Sequence, residues 1–303
     1  MPIHPAVAAK LPLLDGVPSF EALVTDPAFR DRMVQFMTPS VGGPPPVVKT
    51  REETAAGVRV RVYSPSPEDA DGRPCLVWLH GGAFKMGDLD MPEADWVARE
   101  VVTRTGATVV SVDYRLAIPY PAPHDDVVAA VRWVRDALAP SRVVLGGASA
   151  GGNLAAGAAL RLRDDDGWVP AELALVYPVL HPELPPPSSS LTRRMAEVPP
   201  ILHFPPDEVR TITEDFLGGP ASSADGYAMP GLAVLEGLCP TLLLTAEYDD
   251  LRPSGEKFAA ALALAGVDVR HVQIPSMLHG FLGLPSAIEP VDQALRLVAG
   301  LLA

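Results

Sequence analysis

Cysteine is scarce in this sequence, with two, Cys75 and Cys239, in 303 residues. Two thiols cannot make the disulfide framework of a small secreted domain. Both sit in or beside apolar runs, where cysteine behaves as a small buried hydrophobe. Positive charge is also short: 24 Lys and Arg face 37 Asp and Glu, a net charge of −13. That sign argues against nucleic-acid binding, which needs cations to neutralise phosphates. It says little about a neutral small molecule. No run approaches the roughly 18 apolar residues of a membrane span, so no membrane partner is expected. The opening MPIHPAVAAKLPLL lacks a basic stretch leading into an apolar one. It does not read as a signal peptide, and the expected compartment is the cytoplasm. His, Cys, Asp and Glu form no cluster at metal-ligand spacing, so no metal is expected.

What the chain does have is apolar mass: 48% hydrophobic against 20% charged residues, enough for a large core. Its 34 prolines gather at 39–46, 119–123, 182–187 and 199–206, which marks loops. Between them, strand-like and helix-like patterns alternate. Residues 57–65 alternate apolar and polar, the period of a half-buried strand. Apolar runs at 75–80, 108–114, 142–147, 172–179, 240–247 and 267–274 read as strands, the continuous ones buried on both faces. Helical spacing appears at 92–106, 124–138, 148–163, 254–266 and 286–302, with Gly106 as a C-cap and Asp125 and Asp126 in a first turn. The alternation predicts an α/β fold with a mostly parallel sheet covered on both faces. Two stretches break the rhythm: 1–45, short helices broken by proline, with helical spacing in FEALVTDPAFRDRMVQFM, and a Pro/Ser/Gly-rich part of 181–230. They are expected to form a cap over a core of 46–182 and 231–303, its inserted part at 183–230.

The sharpest motif is Gly147-Ala148-Ser149-Ala150-Gly151, a G-x-S-x-G between a strand and a helix. There a serine sits on a tight turn that lifts its Oγ to the carboxyl edge of the sheet. Glycines two residues to either side remove Cβ atoms that would clash. The N–H of Ala150 then faces a developing oxyanion at a helix N-terminus. Ser149 is the candidate nucleophile. Strand 75–80 runs into His80-Gly81-Gly82-Ala83-Phe84, leaving bare amides at the same edge. Gly81 and Gly82, with Ala150, are the expected oxyanion donors, and His80 is expected to shape the loop.

The base and acid should follow the nucleophile in the order Asp/Glu, then His. His181 and His203 lie in the proline-rich insertion and His271 falls inside a strand. His279, in the loop after that strand, is the expected base. Glu247, Asp249 and Asp250 all stand at the end of strand 240–247, and spacing alone does not choose among them.

Together these motifs resemble the hormone-sensitive-lipase-like esterases, the bacterial family IV branch of the α/β hydrolases. The resemblance runs from about residue 57 to the C-terminus. It rests on HGGAF at 80–84, GDLD at 87–90, DYRLA at 113–117, YPAPHDD at 120–126, GASAGGN at 147–153, AEYDDLRPSGE at 246–256, AGVDV at 265–269 and MLHGF at 277–281. The family pattern places the triad acid two residues before the leucine, which is Asp249 here, with Asp250 in reserve. It implies an α/β-hydrolase fold, a cap, no cofactor, short- to medium-chain acyl esters as substrates and often a homodimer. Two departures stand out. Ala148 occupies a position where the family usually has Asp. The stretch Ile118-Pro119-Tyr120 is shorter than the usual Pro-Glu-His and lacks its Glu. Both remove carboxylates that brace the loops around the site.

The expected activity is a serine carboxylesterase working through an acyl-enzyme, with turnover falling below about pH 6 as His279 gains a proton. Phe84, Met86, Phe204 and Phe281 are candidate pocket residues, with Met195, Phe216 and Met229 behind them. The same machinery in an amidase, arylformamidase, lactonase or deacetylase is the main rival. A non-catalytic ligand receptor is a remote one, because Ser149, Asp249 and His279 are all present.

Overall fold

Eight strands make one sheet in the order β1-β2-β4-β3-β5-β6-β7-β8. The structure, a computed structural model, describes residues 2–17, 26–38, 40–66 and 72–303. The strands are β1 (Lys49–Ala55), β2 (Val58–Ser64), β3 (Cys75–Leu79), β4 (Thr108–Val112), β5 (Val143–Ala148), β6 (Glu172–Val176), β7 (Thr241–Tyr248) and β8 (Val269–Leu278). β1 and β2 pair antiparallel, as do β2 and β4, and the remaining pairs are parallel. Every residue of β3, β4, β5 and β7 is buried, which is why these segments read as unbroken apolar runs. β1 carried no such signal. Its KTREETA buries Ala55 alone, and it holds the sheet edge by backbone pairing and by ion pairs such as Arg61–Glu52.

Helices cover both faces. Helices Ala122–Trp133, Ala150–Asp166 and Arg252–Leu264 pack on one side through Val127, Leu154, Phe258 and their neighbours. Helices Pro92–Thr105 and Glu289–Ala299 pack on the other through Val97, Val101, Leu295 and Val298. Gly106 ends its helix in the left-handed region at φ 67°, its N–H reaching Val102 O, as the C-cap reading expected. Asp125 and Asp126 serve more than the helix dipole: Asp125 pairs with Arg161, and buried Asp126 holds the Arg115 N–H and guanidinium. Cys75 and Cys239 are buried free thiols, each pushed up to about 12 by burial.

The two irregular stretches lie against each other. The first contributes helix Pro5–Ala8, a 3-10 turn Leu11–Leu14 and helix Arg30–Met37; residues 20–25 of the expected helical stretch FEALVTDPAFRDRMVQFM lie outside the described residues. The second contributes helices Ser189–Met195 and Pro206–Leu217. Leu14 and Val17 pack with Phe29, Phe36, Ile201 and Leu202. Val7, Leu191 and Met195 join the core beneath β7 and β8.

Leu145 is fully buried at the centre of β5. Leu145→Ala should cost about 2–5 kcal/mol of stability, read as a lower urea midpoint at unchanged slope.

Candidate active site

β5 ends at Ala148 and the next helix begins at Ala150, leaving Ser149 on the turn with φ 54° and ψ −118°. A non-glycine residue at positive φ is a strained position that its surroundings must enforce. Here they do so by crowding. A Cβ on Gly147 would lie 2.4 Å from Gly151 backbone, and one on Gly151 would lie 2.2 Å from Leu79 O. These glycines are required by close approach of β3, β5 and the helix. The Ser149 N–H donates to Val176 O at 2.9 Å, and its carbonyl accepts the Asn153 N–H at 3.1 Å.

Three side chains meet at this turn. Ser149 Oγ donates to His279 Nε2 at 3.0 Å, and His279 Nδ1 donates to Asp249 Oδ2 at 2.9 Å. The other Asp249 oxygen accepts the Leu251 N–H at 2.8 Å, so the carboxylate is fixed at both ends. Asp249 follows the last residue of β7. His279 follows the last residue of β8, which runs four residues beyond the expected 274 and pairs Leu278 with Tyr248 across a bulge. The neighbouring acids face elsewhere. Glu247 pairs with Arg194 and accepts the Ser276 N–H, while Asp250 accepts the Phe204 N–H. Of the other histidines, His181 meets Ser254, His271 meets Thr245, and His203 meets Asp250.

Burial of the His279 ring is the largest single influence and works against its charge, but the Asp249 carboxylate beside it, as neighbouring charge and as hydrogen-bond acceptor, works the other way. Glu93 and Asp250 add to that field, and the imidazole pKa is raised above its ordinary 6.5.

The loop after β3 corrects one expectation. The Gly81 N–H is not open to an oxyanion: it donates to the buried Glu93 Oε2 at 2.6 Å. The other Glu93 oxygen accepts the Tyr177 hydroxyl at 2.6 Å, and the Tyr177 ring lies 4.7 Å from that of His279. Gly81 therefore fixes the loop beside Ser149, with its would-be Cβ 3.1 Å from Ser149 Cβ. Gly82 must be glycine: its φ is 118°, and a Cβ would meet Met86 O at 1.9 Å. The N–H groups of Gly82, Ala83 and Ala150 make no hydrogen bond among the described residues. His80 shapes the loop, with Nδ1 at 2.6 Å from Gly81 O and its ring stacked on Tyr114 at 4.6 Å. Glu93 was not singled out in the sequence, where an acid in the first turn of a helix has a ready explanation in the helix dipole.

His279 opens into a cavity of about 290 Å³ with mostly apolar walls. Phe204 and Phe281 line it, as expected. The other aromatic and methionine candidates do not. Phe84 is buried against Phe216, ring centroids 3.9 Å apart, and Met195 and Met229 are packed in the core. Met86 is exposed, because the Gly82–Met86 turn directs it outward. Ala6, Val7, Lys10, Phe36 and Leu202, residues that carry no motif, also line it.

Because the imidazolium is favoured, labelling of Ser149 by a fluorophosphonate should fall off on the acid side with a midpoint above pH 6.5. That is a higher limb than an unperturbed histidine would give. A labelling-rate profile from pH 5 to 9 checks it, and a midpoint at or below that value would mean that desolvation governs the ring.

Residues 76–283 match the family described as alpha/beta hydrolase fold. The chain is similar to carboxylesterase NlhH of Mycobacterium tuberculosis, 37% identical, with 93% of this chain and 92% of that protein covered. Among solved structures, it is similar to a hyperthermophilic esterase from Pyrobaculum calidifontis, 29% identical with a TM-score of 0.81, covering 100% of this chain and 98% of that one. An esterase from the bacterial hormone-sensitive lipase family aligns with a TM-score of 0.80 at 26% identity, covering 100% and 98%. No helix among the described residues is long and apolar enough to cross a membrane. With its elbow serine, eight-stranded sheet and these relatives, the chain belongs to the alpha/beta hydrolase fold family and is a carboxylic-ester hydrolase of the hormone-sensitive-lipase-like branch.

Proposed function

We propose that this esterase cleaves short- to medium-chain acyl esters by a Ser149–His279–Asp249 acyl-enzyme mechanism. The observation that carries the reading is the unbroken hydrogen-bond chain from Ser149 Oγ through His279 to Asp249. His279 Nε2 takes the hydroxyl proton as Oγ attacks the ester carbonyl. Asp249 holds the Nδ1–H tautomer and supports the imidazolium. The N–H groups of Gly82 and Ala150 receive the oxyanion, with Ala83 taking the part first assigned to Gly81. Collapse of the tetrahedral adduct breaks the ester C–O bond, and the leaving alcohol takes the proton from His279. Water then attacks the acyl-enzyme by the same steps, releasing the acid and restoring Ser149.

Residues 1–45 and 183–230 act in this reading as the cap, and 46–182 and 231–303 as the core. Phe36 from the first stretch and Leu202 and Phe204 from the second wall the cavity beside His279, which supports that division. A cavity of about 290 Å³ equals the liquid volume of roughly ten waters, room for an acyl chain of several carbons.

The test is hydrolysis of p-nitrophenyl acetate, butyrate, octanoate and palmitate by the wild type and by Ser149→Ala. Turnover should be highest on the shorter chains and lowest on palmitate. Ser149→Ala should lower kcat by about 10⁴–10⁶-fold. An active Ser149→Ala protein, or preference for palmitate, would overturn the mechanism or the chain-length reading respectively.

A further inference from the structure

Asp250 is a partly buried carboxylate that the hydrolytic steps above do not use. It follows Asp249 directly but turns to segment 183–230. Its Oδ2 accepts the Phe204 N–H at 2.9 Å and meets His203 Nδ1 at 3.1 Å. His203 Nε2 faces Val198 O at 3.2 Å. A carbonyl oxygen only accepts, so Nε2 carries a hydrogen. The result is a clasp that binds the backbone of 198–204 to the loop carrying Asp249.

The side chain that the clasp presents is Phe204. Its ring meets the His279 ring edge to face, centroids 4.8 Å apart at 68°. The same ring forms part of the wall of the cavity that His279 opens into. Asp249, by contrast, has both oxygens satisfied by Leu251 N–H and His279, so the triad hydrogen bonds do not need Asp250. The two adjacent acids thus hold different objects: Asp249 the imidazole, Asp250 the aromatic wall against the imidazole.

We propose that Asp250 is a positioning residue for ester hydrolysis, seating the Phe204 ring against His279 and against the acyl group in the cavity. The inference rests on the reading of Ser149, His279 and Asp249 as the reacting triad. A carboxylate acting through a ring has a signature: removing the ring leaves it nothing to do.

The experiment is a double-mutant cycle of Asp250→Ala and Phe204→Ala, with kcat/KM measured on p-nitrophenyl butyrate and octanoate. Asp250→Ala should lower kcat/KM on butyrate by about tenfold. It should shift the octanoate-to-butyrate ratio in the same direction as Phe204→Ala, and the double variant should be no worse than Phe204→Ala alone. Asp250→Asn keeps an oxygen for the Phe204 N–H and should recover most of the loss. The carboxylates whose fields favour the His279 imidazolium are Asp249, Glu93 and Asp250, so losing one charge should move the acid limb of Asp250→Asn to lower pH. Wild-type kinetics in Asp250→Ala, or losses that add in the double variant, would overturn the proposal. If circular dichroism shows Asp250→Ala unfolded, Asp250→Ser takes its place in the cycle. Fluorophosphonate labelling separates the two readings. A wild type that resists the probe strikes at the triad itself, whereas normal labelling with additive losses strikes at Asp250 alone.

Discussion

Backbone crowding around Ser149 is the constraint on which the rest of the site depends. The turn stands at positive φ because Gly151 is pressed onto the Leu79 carbonyl and Gly147 onto Gly151. Three elements, β3, β5 and the helix from Ala150, close on one another there without side chains between them. That contact sets where the hydroxyl stands, where the helix N-terminus points, and where the loop after β3 must pass. The ends of β7 and β8 then bring Asp249 and His279 to the Ser149 hydroxyl.

Around the turn the field is made by carboxylates withdrawn from water. A buried carboxylate is costly unless its oxygens are hydrogen-bonded. Glu93 meets that condition with the Gly81 N–H and the Tyr177 hydroxyl, and Asp249 with the Leu251 N–H and the imidazole. Ala148 and the short 118–120 stretch lack the acids that brace the loops in the family pattern. Glu93, from the first turn of helix Pro92–Thr105, is the acid that holds the loop after β3 here. The charges fix loop geometry and together hold His279 above its ordinary pKa.

The cavity depends on a different kind of contact. Its walls bring residues from the first 40 positions to residues near 200 and near 280. Phe204 reaches His279 because an acid at the end of β7 holds its backbone, and Phe84 leaves the cavity because Phe216 offers it a stacking partner. Both outcomes are settled by packing between segments far apart in the chain.

The sequence by itself determined the alternation of strands and helices, the elbow at Ser149 and the order Ser, Asp, His. These leave local marks: unbroken apolar runs where both sheet faces are covered, glycines where backbones touch, and functional residues just past strand ends. It did not mark β1, whose register comes from pairing with β2 and whose residues are mostly exposed. It did not reveal that the Gly81 amide is taken, because its partner Glu93 looks like any acid at a helix start. Nor did it separate Phe204 and Phe281 from Phe84 as cavity walls. Only the tertiary structure decided these. Which amide is free and which ring faces His279 depend on side-chain contacts between distant segments, and such contacts impose no period or spacing on the chain.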